Sequence, residues 1–191
     1  HKLTGMQHKY RETVLFFPSQ GQTCHAYCSF CFRWPQFVGM DEWKFAMKET
    51  ELLVKYLQKH TEVTDLLFTG GDPMIMKNKI FATYIDALIE ADIPNLQTIR
   101  IGTKALGYWP YKFLTEDDAE DTLRTFEKIV KSGKNLAIMA HFNHPAELST
   151  DAVKQAIAKV RATGAQIRTQ SPLMKNINAD ADIWATMWRQ Q

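Results

Sequence analysis

The chain has 191 residues, of which 45% are hydrophobic, and a formal net charge of +2. This length predicts one domain with enough apolar side chains for a hydrophobic core. The near balance of charge, without a basic stripe, gives no reason to expect a nucleic-acid partner. No apolar run approaches the roughly 20 residues that cross a bilayer, and no secretory segment is visible. We therefore expect a cytoplasmic protein that does not enter a membrane.

Short β-rich runs alternate with helical periods along the chain, a pattern typical of βα units around a parallel sheet. The predicted strands are 14–17, 66–68, 98–101, 136–139 and 166–169. The predicted helices are 41–60, 80–89, 117–132, one that begins after Ser149 or Thr150 and ends at Gly164, and 180–191. Gly133 is expected to end the third helix, and a loop rich in aromatic residues is expected at 108–113.

Five βα units in series make up more than half of a (β/α) barrel, a fold in which chemistry gathers at the carboxyl ends of the strands. A motif of small or polar residues follows every predicted strand. These motifs are Cys24–Cys31, Gly70–Pro73, Gly102–Lys104, His141–His144 and Gln170–Ser171. A doubly wound sheet would also bring such loops together, so the alternation alone leaves both α/β architectures open.

The three cysteines of the chain lie within one short segment, Cys24-His25-Ala26-Tyr27-Cys28-Ser29-Phe30-Cys31. Cysteine thiolates are the usual ligands of [4Fe–4S] clusters, and three of them leave the fourth iron open. A disulfide explains an odd number of clustered cysteines poorly. A zinc site that includes His25, and buried inert thiols, are the remaining alternatives.

The motif Thr69-Gly70-Gly71-Asp72-Pro73 directly follows the second predicted strand. Its two glycines allow a tight bend and let a ligand approach the backbone closely. Asp72 would add a negative partner for an ammonium group. An ordinary turn has the same composition, so the motif by itself leaves both interpretations open.

Together these motifs resemble a known family. The cysteine spacing, with an aromatic residue before the last cysteine, resembles the signature of the radical S-adenosylmethionine (SAM) superfamily. The motifs Cys-x3-Cys-x2-Cys-x-Arg, Thr-Gly-Gly-Asp-Pro, Ile-Arg-Ile-Gly-Thr-Lys, His-Phe-Asn-His-Pro and Gln-Ser-x-Leu follow one another over residues 8–178. In that order they resemble the lysine 2,3-aminomutase family, and His-Phe-Asn-His-Pro is the motif most specific to it.

The resemblance implies a partial (β/α) barrel of the radical SAM type, with about five βα units present in residues 1–191. In the family a reduced [4Fe–4S] cluster cleaves SAM to methionine and a 5′-deoxyadenosyl radical. That radical acts on an amino acid held by pyridoxal 5′-phosphate (PLP), whose amino group then migrates. The implied partners are an amino-acid-like substrate and a reductant such as flavodoxin or ferredoxin, with a homo-oligomer as a further expectation.

Particular residues match the family's functional positions. The implied cluster ligands are Cys24, Cys28 and Cys31. The implied cofactor contacts are Phe30, Gly70, Gly71, Asp72 and Gln170, with Lys9 near the family's PLP-phosphate arginine. The implied substrate contacts are Arg33, His141 and Asn143. No protein side chain is assigned as catalytic, because the radical is generated on SAM.

Two departures from the family qualify this interpretation. Phe32 and Trp34 replace residues that are polar or basic in the aminomutases, which puts lysine as the substrate in doubt. The family's Schiff-base lysine lies beyond the fifth predicted helix, so we expect a chain truncated on its C-terminal side or an enzyme without PLP. The alternatives are therefore a radical SAM enzyme of another reaction class, and a non-catalytic zinc or iron–sulfur binding module.

Overall fold

The fold is a six-stranded sheet flanked by helices, as seen in a computed structural model that describes residues 4–36 and 50–191. The strands are β1 (Met6–Gln7), β2 (Thr13–Phe16), β3 (Asp65–Phe68), β4 (Thr98–Thr103), β5 (Asn135–His141) and β6 (Gln166–Gln170). The helices are α1 (Thr50–Lys59), α2 (Asn78–Glu90), α3 (Ala105–Tyr108), α4 (Ala119–Lys131), α5 (Asp151–Ala162) and α6 (Ala181–Gln190).

The strands follow one another across the sheet in chain order, β1 to β6. Strands β2 to β6 pair in parallel, whereas the two-residue β1 pairs antiparallel to β2. A doubly wound sheet reverses its strand order at a switch point, and the order here contains no reversal. The predicted α/β class is confirmed, and the sequential parallel order is consistent with a partial βα barrel.

The core lies between the sheet and its helices. Alternate side chains of the inner strands are fully buried, among them Phe16, Phe68 and Ile101. The Phe16 and Phe68 rings meet edge to face with their centroids 5.2 Å apart, a favourable arrangement for aromatic pairs. Helix α2 buries its apolar stripe on this layer, and Tyr84 lies 5.2 Å from Phe16 between ring centroids. The period-two and helical patterns of the sequence thus supply the two sides of one core.

The helix ends follow local chemistry. The hydroxyl of Thr150 accepts a hydrogen bond from the backbone N–H of Val153, so Thr150 rather than Ser149 caps α5. Gly133 follows α4 with a φ of +83°, as expected for a residue that ends a helix in the left-handed region. Residues 41–49 of the first predicted helix lie outside the described residues.

The loop expected at 108–113 is wrong in part, because Tyr108 ends the short helix α3 and Pro110–Phe113 form a 3₁₀ turn. Both are anchored by apolar side chains, since Leu106 and Phe113 are fully buried. A helix of four residues carries too little periodicity to be recognised in a sequence. None of the described helices is long and apolar enough to cross a membrane.

Candidate functional site

The loops that follow all five parallel strands meet at one cavity of about 490 Å³ at the carboxyl edge of the sheet. Its lining consists of Cys24, Ala26, Cys28, Phe30, Cys31, Phe32, Arg33, Thr69, Gly70, Gly71, Asp72, Gly102, Thr103, Lys104, His141, Gln170, Ser171 and Pro172. Every motif that the sequence places after a strand contributes to this wall. The expectation that these motifs converge is therefore confirmed.

The cysteine segment, residues 24–31, separates this cavity from a second one. All three cysteines line both cavities, and the second has a volume of about 310 Å³. The segment turns back on itself where the N–H of Cys31 donates to the carbonyl of Cys28 at 3.0 Å. The thiols are half-buried, so they are accessible to a metal while shielded from bulk water.

The spacing of the thiols bears on which metal centre they fit. Among the described residues, no three of Cys24, His25, Cys28 and Cys31 bring their ligand atoms within 4.8 Å of one another. A single zinc ion needs ligands that close around bonds of about 2.3 Å to sulfur. The thiols are thus not gathered around a single ion, and the ring of His25 lies 5.6 Å from that of Trp109 between centroids.

Burial raises the pKa of the Cys24 thiol and of the Cys28 thiol. At Cys28 the positive charge of Lys104 opposes this effect. Without a metal, the Cys24 and Cys28 thiols are therefore protonated at neutral pH, and binding of a metal would release their protons.

The two glycines of the second motif bring two backbones together. The N–H of Gly71 donates to the carbonyl of Gly21 at 3.1 Å, and that of Asp72 to the carbonyl of Thr23 at 2.8 Å. A Cβ atom on Gly71 would lie 2.1 Å from the Thr23 carbonyl oxygen. The sequence attributes the glycines to approach of a ligand, but at Gly71 the close neighbour is the chain leading into the cysteine segment.

The Asp72 carboxylate is only 1% exposed and is satisfied within the protein. It accepts hydrogen bonds from the Thr103 hydroxyl at 2.7 Å, the Lys104 N–H at 2.9 Å and the Met74 N–H at 3.0 Å. Burial raises the pKa of this carboxyl, and these three donors oppose the shift. The carboxylate thus connects the loop after β3 to the loop after β4, instead of projecting toward an ammonium group.

Lys104 continues this connection to the loop after β5. Its ammonium group forms an ion pair with Glu147 and lies 3.4 Å from the carbonyl oxygen of His141. Glu147 in turn accepts from the N–H groups of Asn143 and His144. The ring of His141 donates to the side-chain oxygen of Asn143 at 2.6 Å. Asn143 itself does not line the cavity; it orients His141, which does.

Burial, with a contribution from the charge of Lys104, lowers the pKa of His141. The imidazole is therefore neutral at pH 7. Its ring packs against Phe30 with centroids 5.4 Å apart, so an aromatic surface from the cysteine segment faces the end of β5.

The last link is the buried side chain of Asn178, which is 0% exposed. Its amide group donates to the carbonyl oxygens of Asn143 at 2.8 Å and Pro172 at 2.9 Å. Its oxygen accepts from the N–H of Met174 at 2.7 Å. Asn178 thereby holds the loop after β6, which follows Gln170 and carries Ser171, against the loop after β5.

Arg33 and Lys9 occupy very different places. The Arg33 guanidinium lines the cavity and lies 4.5 Å above the centre of the Phe17 ring. Among the described residues no carboxylate pairs with it, and burial lowers its pKa without removing its charge. Lys9 is exposed and precedes β2, at the amino edge of the sheet. The expectation that Lys9 contacts a phosphate in the shared pocket does not fit this placement.

Several buried polar atoms near the cavity lack a hydrogen-bond partner among the described residues. They are the hydroxyl groups of Ser171 and Tyr108 and the side-chain oxygen of Gln22. Ser171 lines the cavity, so its hydroxyl is available to a polar ligand. Sequence reasoning gave Thr103 no role of its own within its motif and missed Glu147 and Asn178, because each has a partner that lies more than 30 positions away in the chain.

Comparison with known proteins identifies homologues along nearly the whole chain. It is 35% identical to a protein of Aquifex aeolicus named "Putative L-lysine 2,3-aminomutase", over 97% of this chain and 47% of that protein. It is 32% identical to the L-lysine 2,3-aminomutase of Haemophilus influenzae, over 92% of this chain and 48% of that protein. It is 27% identical to the Escherichia coli L-lysine 2,3-aminomutase, over 96% and 49% respectively.

The chain thus spans about half the length of the curated relatives it matches. No protein-family model matches it.

Proposed function

We propose that this chain, a homologue of the L-lysine 2,3-aminomutases along nearly its whole length, carries the cluster and SAM site of an aminomutase-like enzyme. One observation carries the proposal: three half-buried cysteines open into a cavity walled by the loops after five parallel strands. Active sites of βα barrels lie in these loops. The rival interpretation as a zinc module is less well supported, because the thiols and His25 are not gathered around a single ion among the described residues.

In this proposal Cys24, Cys28 and Cys31 hold three irons of a [4Fe–4S] cluster and leave the fourth open. When bound, the cluster supplies the electron that cleaves SAM reductively. The contribution of the protein is to bind and orient SAM and substrate and to exclude water. The charge of Lys104 at the wall beside Cys28 favours the thiolate form, whereas its ion-pair partner Glu147 opposes it.

For SAM we propose contacts with the backbone of Gly70 and Asp72, with the ring of Phe30 and with the amide of Gln170. All four residues line the same cavity. Phe30 offers an aromatic face suited to adenine, and the exposed Gln170 side chain offers both a donor and an acceptor. The Ser171 hydroxyl next to it lacks a partner among the described residues and would be satisfied by the same ligand.

For the substrate we propose an amino acid whose carboxylate binds Arg33. A guanidinium matches a carboxylate by two parallel hydrogen bonds, and the Phe17 ring below it holds its plane in position. The neutral ring of His141 forms the neighbouring wall. Phe32, 85% exposed at the mouth of the cavity, favours a substrate with an apolar portion there.

The described residues do not provide a site for covalent PLP. The lysine of the cavity wall is Lys104, and its ammonium group is held by Glu147. Lys9 lies at the opposite edge of the sheet. PLP therefore remains a prediction of the family resemblance, and the sites proposed here do not depend on it.

Reconstitution with iron and sulfide under anaerobic conditions tests the cluster and SAM assignment. The protein should bind about four irons per chain and, with dithionite, release 5′-deoxyadenosine from SAM. Cys28→Ser should lose both properties. Ser29→Ala is the matched control, because this exposed neighbour supplies no thiol and should retain the iron. Full iron content in Cys28→Ser would overturn the assignment.

A second assay tests the reaction class. L-Lysine and a panel of other L-amino acids are incubated with the reduced protein and SAM, with and without PLP, and β-amino-acid products are separated by chromatography. Formation of a β-isomer supports the aminomutase. Release of 5′-deoxyadenosine without any isomer would instead support a radical SAM enzyme of another reaction class. A flavodoxin or ferredoxin that replaces dithionite would identify the reductant.

A further inference from the structure

A cluster of metal-ligating side chains lies at the amino edge of the sheet, on the opposite side from the cysteines. His8, His60 and Glu62 each bring one ligand atom within 4.8 Å of those of the other two. Among the described residues no other group of three His, Cys, Asp or Glu side chains meets this condition. All three side chains are half-buried, so the cluster is neither sealed from a metal ion nor spread over an open surface.

The backbone under this cluster is held in place by hydrogen bonds. The turn carrying His60 and Glu62 is closed by the N–H of Val63, which donates to the His60 carbonyl at 3.0 Å. The side chain of Asn95 donates to the Val63 carbonyl at 2.8 Å. The N–H of Thr64 donates to the carbonyl of Glu12 at 3.0 Å, which ties the turn to the segment after His8. Two ligands on a fixed turn and a third on the adjoining segment form a largely preorganised set.

The hydrogen bonds of His8 also suit a metal ligand. Its Nε2 lies 3.0 Å from the carbonyl oxygen of Arg11, which only accepts, so Nε2 carries the proton. The lone pair is then on Nδ1, which accepts from the Tyr56 hydroxyl at 2.8 Å. A metal-bound histidine usually donates its other N–H to a carbonyl or carboxylate in this way. For Nδ1 to bind a metal, the Tyr56 hydroxyl has to turn aside.

His60 and Glu62 already behave as a pair. The Nδ1–H of His60 donates to a carboxylate oxygen of Glu62 at 3.0 Å, so this proton has to leave Nδ1 before that atom can bind a metal. The ring of His60 stacks on Tyr56 at 4.1 Å between centroids, which limits its rotation.

We propose that His8, His60 and Glu62 form a binding site for a divalent transition metal ion of the zinc type, with water as the fourth ligand. Two imidazoles and one carboxylate are a ligand set that zinc takes at bond lengths of about 2.0–2.2 Å. Atoms around such an ion lie roughly 3.4 Å apart, so the side chains need to close by about 1 Å. The ion would fasten the segment that contains His8 to the turn between α1 and β3.

Zinc binding to the cluster-loaded protein tests this proposal, because iron then occupies the cysteines. Protein with its full iron content is incubated with zinc sulfate and desalted, and zinc and iron are measured per chain. We expect one additional zinc with no loss of iron, and a higher melting temperature. His8→Gln, His60→Gln and Glu62→Gln should each lower zinc affinity at least tenfold.

Glu51→Gln is the matched control, because Glu51 is an exposed carboxylate on α1, the helix that precedes the turn, and pairs with Lys55. It should bind zinc as the unaltered protein does. Iron content and circular dichroism verify that each variant is folded. Because three ligands are substituted separately, the test still holds if one variant does not fold. Absence of bound zinc in the unaltered protein, zinc retained by the variants, or zinc bound only as iron is lost would each overturn the proposal.

Discussion

At the scale of single residues, Gly71 is the position where the fold leaves no room for a side chain. A Cβ would lie 2.1 Å from the Thr23 carbonyl oxygen and 2.6 Å from that of Gln22, both of them backbone atoms. Gly71→Ala should therefore push the cysteine segment away from the loop after β3. We expect a loss of about 1–3 kcal/mol in the free energy of unfolding, measured in denaturant, together with a reduced iron content after reconstitution.

Gly102→Ala is the control for this prediction. A Cβ on Gly102 would have its nearest neighbour, the Phe68 carbonyl oxygen, at 3.6 Å, which is an ordinary contact. Its stability and iron content should stay close to those of the unaltered protein. Equal iron contents in Gly71→Ala and the unaltered protein would show that the two loops are less tightly coupled than their hydrogen bonds imply.

At the scale of elements, a buried ion pair joins three helical segments. The Lys112 side chain is 2% exposed, and its ammonium group lies 2.9 Å from Asp118 and 3.2 Å from the Met76 carbonyl oxygen. Asp118 also accepts from the N–H of Asn78 at 2.6 Å, at the start of α2. Asp118→Asn leaves a buried ammonium without its counter-charge, which should cost about 3–5 kcal/mol.

The pH dependence of stability provides a second measurement of the same pair. Burial alone would raise the pKa of Asp118, but the Asn78 N–H and Lys112 outweigh it, so the pKa is lowered in the folded state. Asp118 therefore stabilises the folded state fully at pH values above its unfolded pKa of about 3.9. This stabilisation is lost as the pH falls through the lower pKa of the folded state. The free energy of unfolding of Asp118→Asn, measured in denaturant across this pH range, should lack this decrease at acid pH.

The exposed pair of Lys159 with Glu120 serves as the comparison, since Glu120→Gln should change stability by less than about 1 kcal/mol. If Asp118→Asn lowers the free energy of unfolding as little as Glu120→Gln does, the buried ammonium group of Lys112 binds water or another acceptor instead.

The strands and helices were predictable wherever the composition or periodicity of a short segment is enough to identify them. Leu66-Leu67-Phe68 is a buried strand by its own composition, and the five motifs converge because parallel strands end at one edge. What the sequence does not reveal is how the loops are fastened. Asn178 reaches a carbonyl 35 positions away, and an asparagine outside any motif gives no indication of such a contact. The same holds for the Lys112–Asp118 pair, whose burial depends on how the helices pack.

At the scale of the whole molecule, the sheet differs in stability from its centre to its edges. Strands β3 and β4 each have two parallel neighbours and fully buried side chains such as Leu66 and Ile99. In β6 only Ile167 is partly covered, and its other side chains are exposed. Hydrogen–deuterium exchange should therefore be slowest in β3 and β4 and faster in β6 and the two-residue β1. Equal protection in β6 and β4 would indicate that β6 is covered by a further surface.

The hydrogen bonds around the cavity connect each loop only to the loops beside it. Gly71 and Asp72 bind the chain before the cysteines, and Asp72 binds Thr103. The remaining links are Lys104 to Glu147 and Asn143 to Asn178. Such an arrangement is a linear array with nearest-neighbour coupling. Substitutions that diversify one loop should therefore require compensation mainly in the adjoining loop, with Phe30 as an exception because its ring packs against His141. Libraries that redesign the pocket are best built from neighbouring pairs of loops, exchanged together.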